Sequence, residues 1–352
     1  MKKKELIILT ARDRFFGQTR KPWTSLDVNK IAKELNNKGF GVEMYDFHEV
    51  VNEDLNLEHK IILYAFSQKE NYRQYIKDIM FHLSKKNEII PSYDLLMCHE
   101  NKGYQEIYNK ETGLNSLWGL YFTSAEELDF QAFAYPVVLK TTSGSNGKGV
   151  FLIQDALQMK NVTRRLQKRI GMGKKLDLLR RKYARHKTFP EYPEFSDEQD
   201  YIEYKEYIKA EENFVIQEFV PDLKYDHRVL IACDRYYVMK REIKDGDFRA
   251  SGSKMFVFNV EPDTELLEFS RSVYEKFDSP FLSIDVLFDG KNYFLAEYQA
   301  LHFGMAVQAQ SKGFFKRNEA GEWIFKKEKP NLEKVFAKTL LCYLNEKYFS
   351  EE

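Results

Sequence analysis

The chain has 352 residues, 43% hydrophobic and 31% charged, with a formal net charge of zero. That length supports two or three lobes around a cleft, and the balanced charge excludes a broadly basic, nonspecific nucleic-acid binder, so no specific nucleic-acid partner is expected. Its three cysteines, Cys98, Cys233 and Cys342, show no CxxC and no metal-ligand spacing, which points to a reducing compartment and no disulfide framework.

Behind the basic Met1-Lys2-Lys3-Lys4, only Leu6 to Leu9 is apolar. This is too short for a signal-peptide core, and no apolar run reaches membrane-spanning length, so a cytoplasmic location is expected. Glu5 to Thr10 reads as a first buried strand. Thr24-Ser25-Leu26-Asp27 then offers an N-cap to a helix with Val28, Ile31, Ala32 and Leu35 on one face, ending at Gly39. Strands follow at Val42 to Phe47, Lys60 to Phe66 and Glu88 to Pro91, with a helix from Tyr72 to Lys85 and a further helical passage from Asn101 to Thr112. Strands alternating with helices predict a parallel α/β lobe.

From Tyr135 the texture changes to short strands and hairpins. Val137-Val138-Leu139-Lys140 is an apolar strand that delivers a lysine to the loop Ser143-Gly144-Ser145-Asn146-Gly147-Lys148-Gly149, and a second apolar run, Val150 to Ile153, follows at once. Strand, glycine loop, strand is a hairpin, not the strand-to-helix turn of a Walker A loop. Glycines let backbone N–H groups approach an anion, and Lys140 and Lys148 add positive charge, so the hairpin reads as a nucleotide-phosphate clamp.

Lys160 to Lys187 holds twelve lysines and arginines against one acid, Asp177, and Glu191 to Glu212 is strongly acidic. Met159, Val162, Leu166 and Ile170 keep helical spacing. The bland reading is a solvated face neutralised by its acidic neighbour; the functional one is a grip on an anionic or membrane-linked substrate.

Further strands are expected at Phe214 to Phe219, Arg228 to Ala232 and Tyr236 to Arg241, then a helix from Glu265 to Phe277. Phe281 to Phe288 and Asn292 to Tyr298 are strands joined through Asp289-Gly290, a strong hairpin signal, and Lys334 to Tyr348 closes the chain as a helix. Arg228, Arg241 and Arg249 are fixed cations suited to polyphosphate or to charge developing on an acyl or phosphoryl oxygen. Asp285 and Glu297 lie on opposite arms of the hairpin, almost equidistant from its turn. Alone they read as two polar strand residues. Downstream of a phosphate loop they read as a magnesium pair, because like charges facing each other across strands repel unless a cation lies between. His227 carries no independent signal and reads as a solvated or hydrogen-bonded histidine.

These motifs, in this order and spacing, resemble the ATP-grasp superfamily, most closely the branch of ribosomal-protein glutamate ligase and glutathione synthetase. The matching elements are Val137 to Lys140 with Gly144 to Val150, Gln217-Glu218-Phe219-Val220 with Asp226-His227-Arg228, Met239-Lys240-Arg241 with Gly246 to Gly252, and Asp285 with Glu297-Tyr298-Gln299. The resemblance implies an α/β chain with a parallel N-terminal lobe (1–100) and two α+β lobes (101–215 and 216–352) clasping ATP, with an insertion at about 158–212. It implies that Lys102, Lys140 and the loop Ser143 to Gly149 meet the phosphates, and that Gln217 to Val220, Asp226 and Lys240 hold the rest of the nucleotide. Arg228, Arg241 and Arg249 would serve the transferred phosphoryl group, and Asp285, Glu297 and Gln299 would hold one or two Mg²⁺ ions. Two departures stand out. Gln299 occupies the place of the usual Asn, and the insertion is longer than compact branch members need, which makes it the expected carrier of acceptor specificity.

The implied activity is ATP-dependent ligation of a carboxylate, from a small molecule or a peptide, to an amine through an acyl phosphate. A phosphotransferase on the same fold, kept open by Gln299 and Leu301-His302-Phe303-Gly304, and a non-enzymatic binding module are the competing readings.

Overall fold

The protein is described here from a computed structural model covering residues 4–17, 25–53, 55–67, 69–142, 144, 147, 149–167, 170–184, 190–192 and 195–348. The chain gathers into two compact units, residues 1–117 with 145–147 and 220–352, and residues 118–144 with 148–219.

The first unit opens with β1 (Lys4–Thr10), α1 (Val28–Asn36), β2 (Phe40–Asp46), α2 (Phe47–Asn52), β3 (Ile61–Tyr64), α3 (Glu70–Ser84) and β4 (Glu88–Ile90). The strands form a parallel sheet in the order β2-β1-β3-β4. Leu6, Ile7, Ile8 and Leu9 are all buried, as a central parallel strand covered on both faces requires. Asp27 caps α1 by accepting from the N–H groups of Asn29 and Lys30, and the stripe Val28, Ile31, Ala32 and Leu35 is buried as its spacing predicts. Then come α4 (Tyr93–Cys98) and α5 (Lys102–Thr112), the latter capped by Asn101 and stopped by Gly113 in the left-handed region.

The second unit contains β5 (Gly119–Phe122), β6 (Val137–Thr141), β7 (Val150–Ile153), α6 (Ala156–Leu166), α7 (Met172–Tyr183), α8 (Asp197–Tyr207) and β8 (Phe214–Glu218). Its sheet is antiparallel in the order β5-β8-β6-β7. Met159, Val162 and Leu166 of α6 pack with Val137, Leu139, Ile153 and Phe214, so the helical spacing seen in the sequence marks a core-facing helix.

The chain returns to the first unit with β9 (Tyr225–Ala232), β10 (Arg235–Glu242), β11 (Phe256–Phe258), α9 (Thr264–Tyr274), β12 (Phe281–Phe288), β13 (Tyr293–Gln299), α10 (Ala306–Gln310), β14 (Gly313–Arg317), β15 (Trp323–Lys327) and α11 (Leu332–Tyr348). Seven of these form one antiparallel sheet, β13-β12-β9-β10-β14-β15 with β11 also on β10. One core joins Leu6 and Ile8 of β1 to Leu230 of β9 and Phe336 and Leu340 of α11. Segments 1–100 and 216–352, separate in the sequence reading, therefore share a hydrophobic core.

Besides the short elements α2, α4, β5, β11 and α10, a hairpin and a crosslink lie outside the sequence reading. The β14–β15 hairpin pairs Phe315 with Phe325 around a turn in which the Gly321 N–H donates to the Asn318 carbonyl. Cys233 and Cys342 form a disulfide between the β9–β10 turn and α11, which corrects the expectation of none. Partners 109 residues apart leave no spacing signal in a sequence. Among the described residues, no helix is long and apolar enough to cross a membrane.

Candidate functional site

The glycine hairpin is built as its sequence requires. The Thr141 N–H donates to the Gly149 carbonyl at 2.8 Å and closes the loop. Gly149 has φ +72°, and a Cβ there would sit 2.1 Å from the Thr141 hydroxyl oxygen, so no other residue fits without rearrangement. Gly147 has φ +71°, and a Cβ on it would stand 2.8 Å from the Ser251 carbonyl oxygen. Gly144 is also left-handed in φ, at 120°. Ser143, Ser145, Asn146 and Lys148 lie outside the described residues. Lys140, at the end of β6, donates its ammonium to the side-chain oxygen of Gln217 on β8. Gln217 is buried and Glu218 exposed; the Glu218 N–H is taken by the Trp118 carbonyl at 2.9 Å. Phe219 is half-buried and Val220 buried.

In the first unit, strand register brings four charges together on one face of the large sheet. Asp285 on β12 faces Arg228 on β9, and Asp226 on β9 faces Arg241 on β10. Arg228 holds Asp285 through Nε at 2.7 Å and Nη2 at 2.9 Å. Arg241 holds Asp226 through Nε at 2.7 Å and reaches Asp285 with Nη2 at 2.7 Å. Asp226, Arg241 and Asp285 are buried, whereas the Arg228 side chain keeps 29% of its surface exposed. Burial alone would raise the Asp285 carboxyl, but Arg228 and Arg241 hold it below the usual carboxylate range. Burial raises Asp226, and the nearby Asp285 charge adds to this against the pull of Arg241. Burial opposes, but the two carboxylates outweigh it, so Arg241 stays firmly cationic.

On the other side of β12, Asp285 is paired in register with Glu297 of β13, and a bulge follows between Asp285 and Val286. Gln299, two residues on, turns its amide oxygen to His99 Nδ1 at 3.1 Å and its nitrogen to Glu297 at 3.5 Å. His99 is fully buried, and burial pushes its imidazole down to about 4. Arg249 grips Asp247 with Nε at 2.9 Å and Nη2 at 3.0 Å, and its Nη1 donates to the carbonyl of Gly147 at 3.0 Å.

No family model matches the chain, and no curated protein matches its sequence. Solved structures do match across nearly its full length. A RimK-domain ATP-grasp protein from Sphaerobacter thermophilus covers 94% of this chain and 98% of its own, with a TM-score of 0.51 at 9% identity. The chain has the ATP-grasp fold. The D-cycloserine synthetase DcsG agrees, with a TM-score of 0.53 at 10% identity over 95% of this chain and 98% of its own. The ATP-grasp ligase PsnB, solved with a minimal precursor, gives 0.50 at 11% identity over 97% of this chain and 98% of its own.

The ATP-grasp fold accounts for the order of motifs along the chain, and the structure sorts them. Arg228, Arg241, Asp226, Asp285 and Glu297 converge on one sheet face. Lys240 does not join them: strand alternation sends it to the opposite face, where it lies 4.8 Å from the Tyr225 ring centroid and 3.4 Å from Glu242. Lys102 is half-buried in the first turn of α5. His227 is half-buried and pairs edge-on with the Tyr225 ring, 5.1 Å between centroids. Its Nδ1 is buried without a hydrogen-bond partner among the described residues, and burial pushes the ring down to about 4. His99 was missed altogether. It follows a short helix and meets Gln299 from 200 positions away, so no local pattern points to it.

Proposed function

We propose that this protein is an ATP-dependent carboxylate–amine ligase that forms an amide through an acyl phosphate. The observation that carries the reading is the convergence of Arg228, Arg241, Asp285 and Glu297 on adjacent strands of an ATP-grasp sheet. Fixed cations beside an acidic pair suit phosphoryl transfer from a nucleotide, where the protein's work is positioning and charge stabilisation.

In this reading Lys140 and the backbone of the glycine hairpin meet the ATP phosphates, with Ser143, Ser145, Asn146 and Lys148 completing that loop. Gln217 sets the direction of the Lys140 ammonium, and Lys102 is a further phosphate contact. Glu218, Phe219 and Val220 meet the base at the end of β8. Asp226 acts through Arg241, since its carboxylate is spent on that guanidinium. Arg228 and Arg249 are the cations that take charge on the transferred phosphoryl group. The substrate carboxylate attacks the γ-phosphorus and ADP leaves; the amine then attacks the acyl carbon and phosphate leaves.

The donor types suit a hard divalent cation, since two carboxylates are paired across β12–β13 and magnesium takes oxygen ligands, but Asp285 would have to give up guanidinium contacts to Arg228 or Arg241 to ligate it. Asp285 and Glu297 would hold it, and Gln299, its oxygen turned to His99, would brace Glu297. Bound there, Mg²⁺ would neutralise triphosphate charge. Acceptor choice is assigned to the insertion at about 158–212, whose basic half suits an anionic acceptor.

The test is ADP release with candidate carboxylates and amines, with product masses. Lys140→Ala should abolish it. A variant that keeps full acceptor-dependent turnover contradicts the assignment of the lysine, and phosphate found on the acceptor instead of free in solution identifies a kinase.

A further inference from the structure

Helix α7 is built inside out. Met172, Leu176, Leu179 and Tyr183 are 71%, 60%, 53% and 70% exposed. At 3.6 residues per turn they fall within an arc of about 60°, a single stripe along the whole helix. The face that packs on α8 is ionic instead. Arg181 reaches both carboxylate oxygens of Asp200 at 2.6 Å and Asp177 at 3.2 Å, and its guanidinium lies 4.0 Å from the Tyr204 ring centroid. Neither helix has a buried residue. The apolar stripe therefore contributes nothing to the core, although an amphipathic helix normally spends that stripe on burial.

Charge is distributed with the same polarity. Exposed Lys175 and Lys182 flank the stripe on one side and exposed Arg180 on the other. Asp177, the one acid on α7, pairs with Arg181 and, at 3.2 Å, with Arg180; the other acids of the pair belong to α8, where Glu198, Glu203 and Glu206 are exposed on faces other than the one that carries Asp200 and Tyr204 towards α7. The outer face of α7 is thus apolar along its centre and cationic along both edges.

We propose that this face of α7 lies on an anionic lipid bilayer surface, with Met172, Leu176, Leu179 and Tyr183 entering the headgroup–acyl boundary. Lys175, Lys182 and Arg180 keep their ammonium and guanidinium groups at headgroup level while their stems cover apolar surface. A convex ridge with cations on both edges suits a planar anionic surface better than an extended peptide, which needs a groove. A polyanion without an apolar phase would leave the four large side chains in water. The inference rests on the second unit's surface alone and not on the ligation reading.

The experiment is co-sedimentation of the full chain with vesicles of pure phosphatidylcholine and of phosphatidylcholine with one third phosphatidylglycerol, without nucleotide. Binding to the anionic vesicles alone, weakened by salt, is expected. The double variant L176E/L179E should lower the partition at least about tenfold, since each buried leucine carries that much. Lys175→Ala with Lys182→Ala should weaken binding to anionic vesicles. These positions are exposed, so an unchanged thermal transition keeps the comparison valid. No vesicle binding by the native chain overturns the proposal, as does binding that ignores L176E/L179E. Concentration-dependent self-association abolished by L176E/L179E, without vesicle binding, overturns it in favour of a protein partner.

Discussion

Arg228 grips Asp285 with two parallel hydrogen bonds, Nε to Oδ1 at 2.7 Å and Nη2 to Oδ2 at 2.9 Å. Arg241 holds the same carboxylate from the next strand over, but it is buried where Arg228 is partly open. The two arginines should therefore fail differently. Arg241→Ala leaves buried Asp226 without its ion-pair partner, takes one of two guanidinium groups from Asp285, and should cost about 3–5 kcal/mol of stability, the range for breaking a buried ion pair. Arg228→Ala leaves Asp285 on Arg241 and should cost roughly 1–3 kcal/mol, as for one charged hydrogen-bond partner. Urea unfolding of both variants checks this, and equal losses would contradict the unequal roles.

Gly149 and Gly113 both have positive φ, at +72° and +59°, but only Gly149 is crowded, with Thr141 in the way of a Cβ. Gly113→Ala should cost only the conformational strain, about 1 kcal/mol. Gly149→Ala adds a clash with a hydrogen-bonded hairpin and should cost more than about 2 kcal/mol or open the loop. Thermal unfolding compares the two, and nucleotide binding should fall for Gly149→Ala alone.

Thiol titration of the unfolded, unreduced chain should find a single free cysteine, Cys98, because Cys233 and Cys342 are joined. Reduction should then lower the unfolding midpoint, since the crosslink closes a loop of 109 residues, worth several kcal/mol on chain-entropy grounds. Three titratable thiols without reductant would rule the bond out.

How much of this was legible beforehand follows from the range of the signals. Lys140 with Gly144, Gly147 and Gly149 was readable because a tight hairpin needs its special residues side by side. The facing of Asp285 and Glu297 was readable because a hairpin fixes register from its turn. The Arg241–Asp226 and Arg228–Asp285 pairings depend on β9 lying between β10 and β12, and strand order is not a local property. Lys240, which the resemblance assigns to the nucleotide, lies on the face opposite Arg241, and that is legible locally because adjacent strand residues point to opposite faces. His99 and the Cys233–Cys342 bond are pure long-range encounters, and the shared core of 1–100 with 216–352 is another.

His99 makes stability depend on pH in a definite direction. Burial first, then the charges of Arg73 and Lys77, push it from 6.5 down to about 4, while its hydrogen bond with Gln299 works against them. The unfolded chain binds this proton below about pH 6.5 and the folded chain only near pH 4, so unfolding takes up a proton throughout that window. Stability should fall on acidification across it, by about 3 kcal/mol for this residue, and this contribution should level off below it. Asp285, held low by its arginines, loses its contribution only below the ordinary carboxylate range, so the two windows separate. Asp226, raised by burial, works in the opposite sense, and the difference between the native chain and His99→Gln removes it from the comparison. Denaturant midpoints measured from neutral pH to about pH 4 should decline in the native chain and decline less in His99→Gln. Parallel curves would show that His99 is not held neutral by the fold.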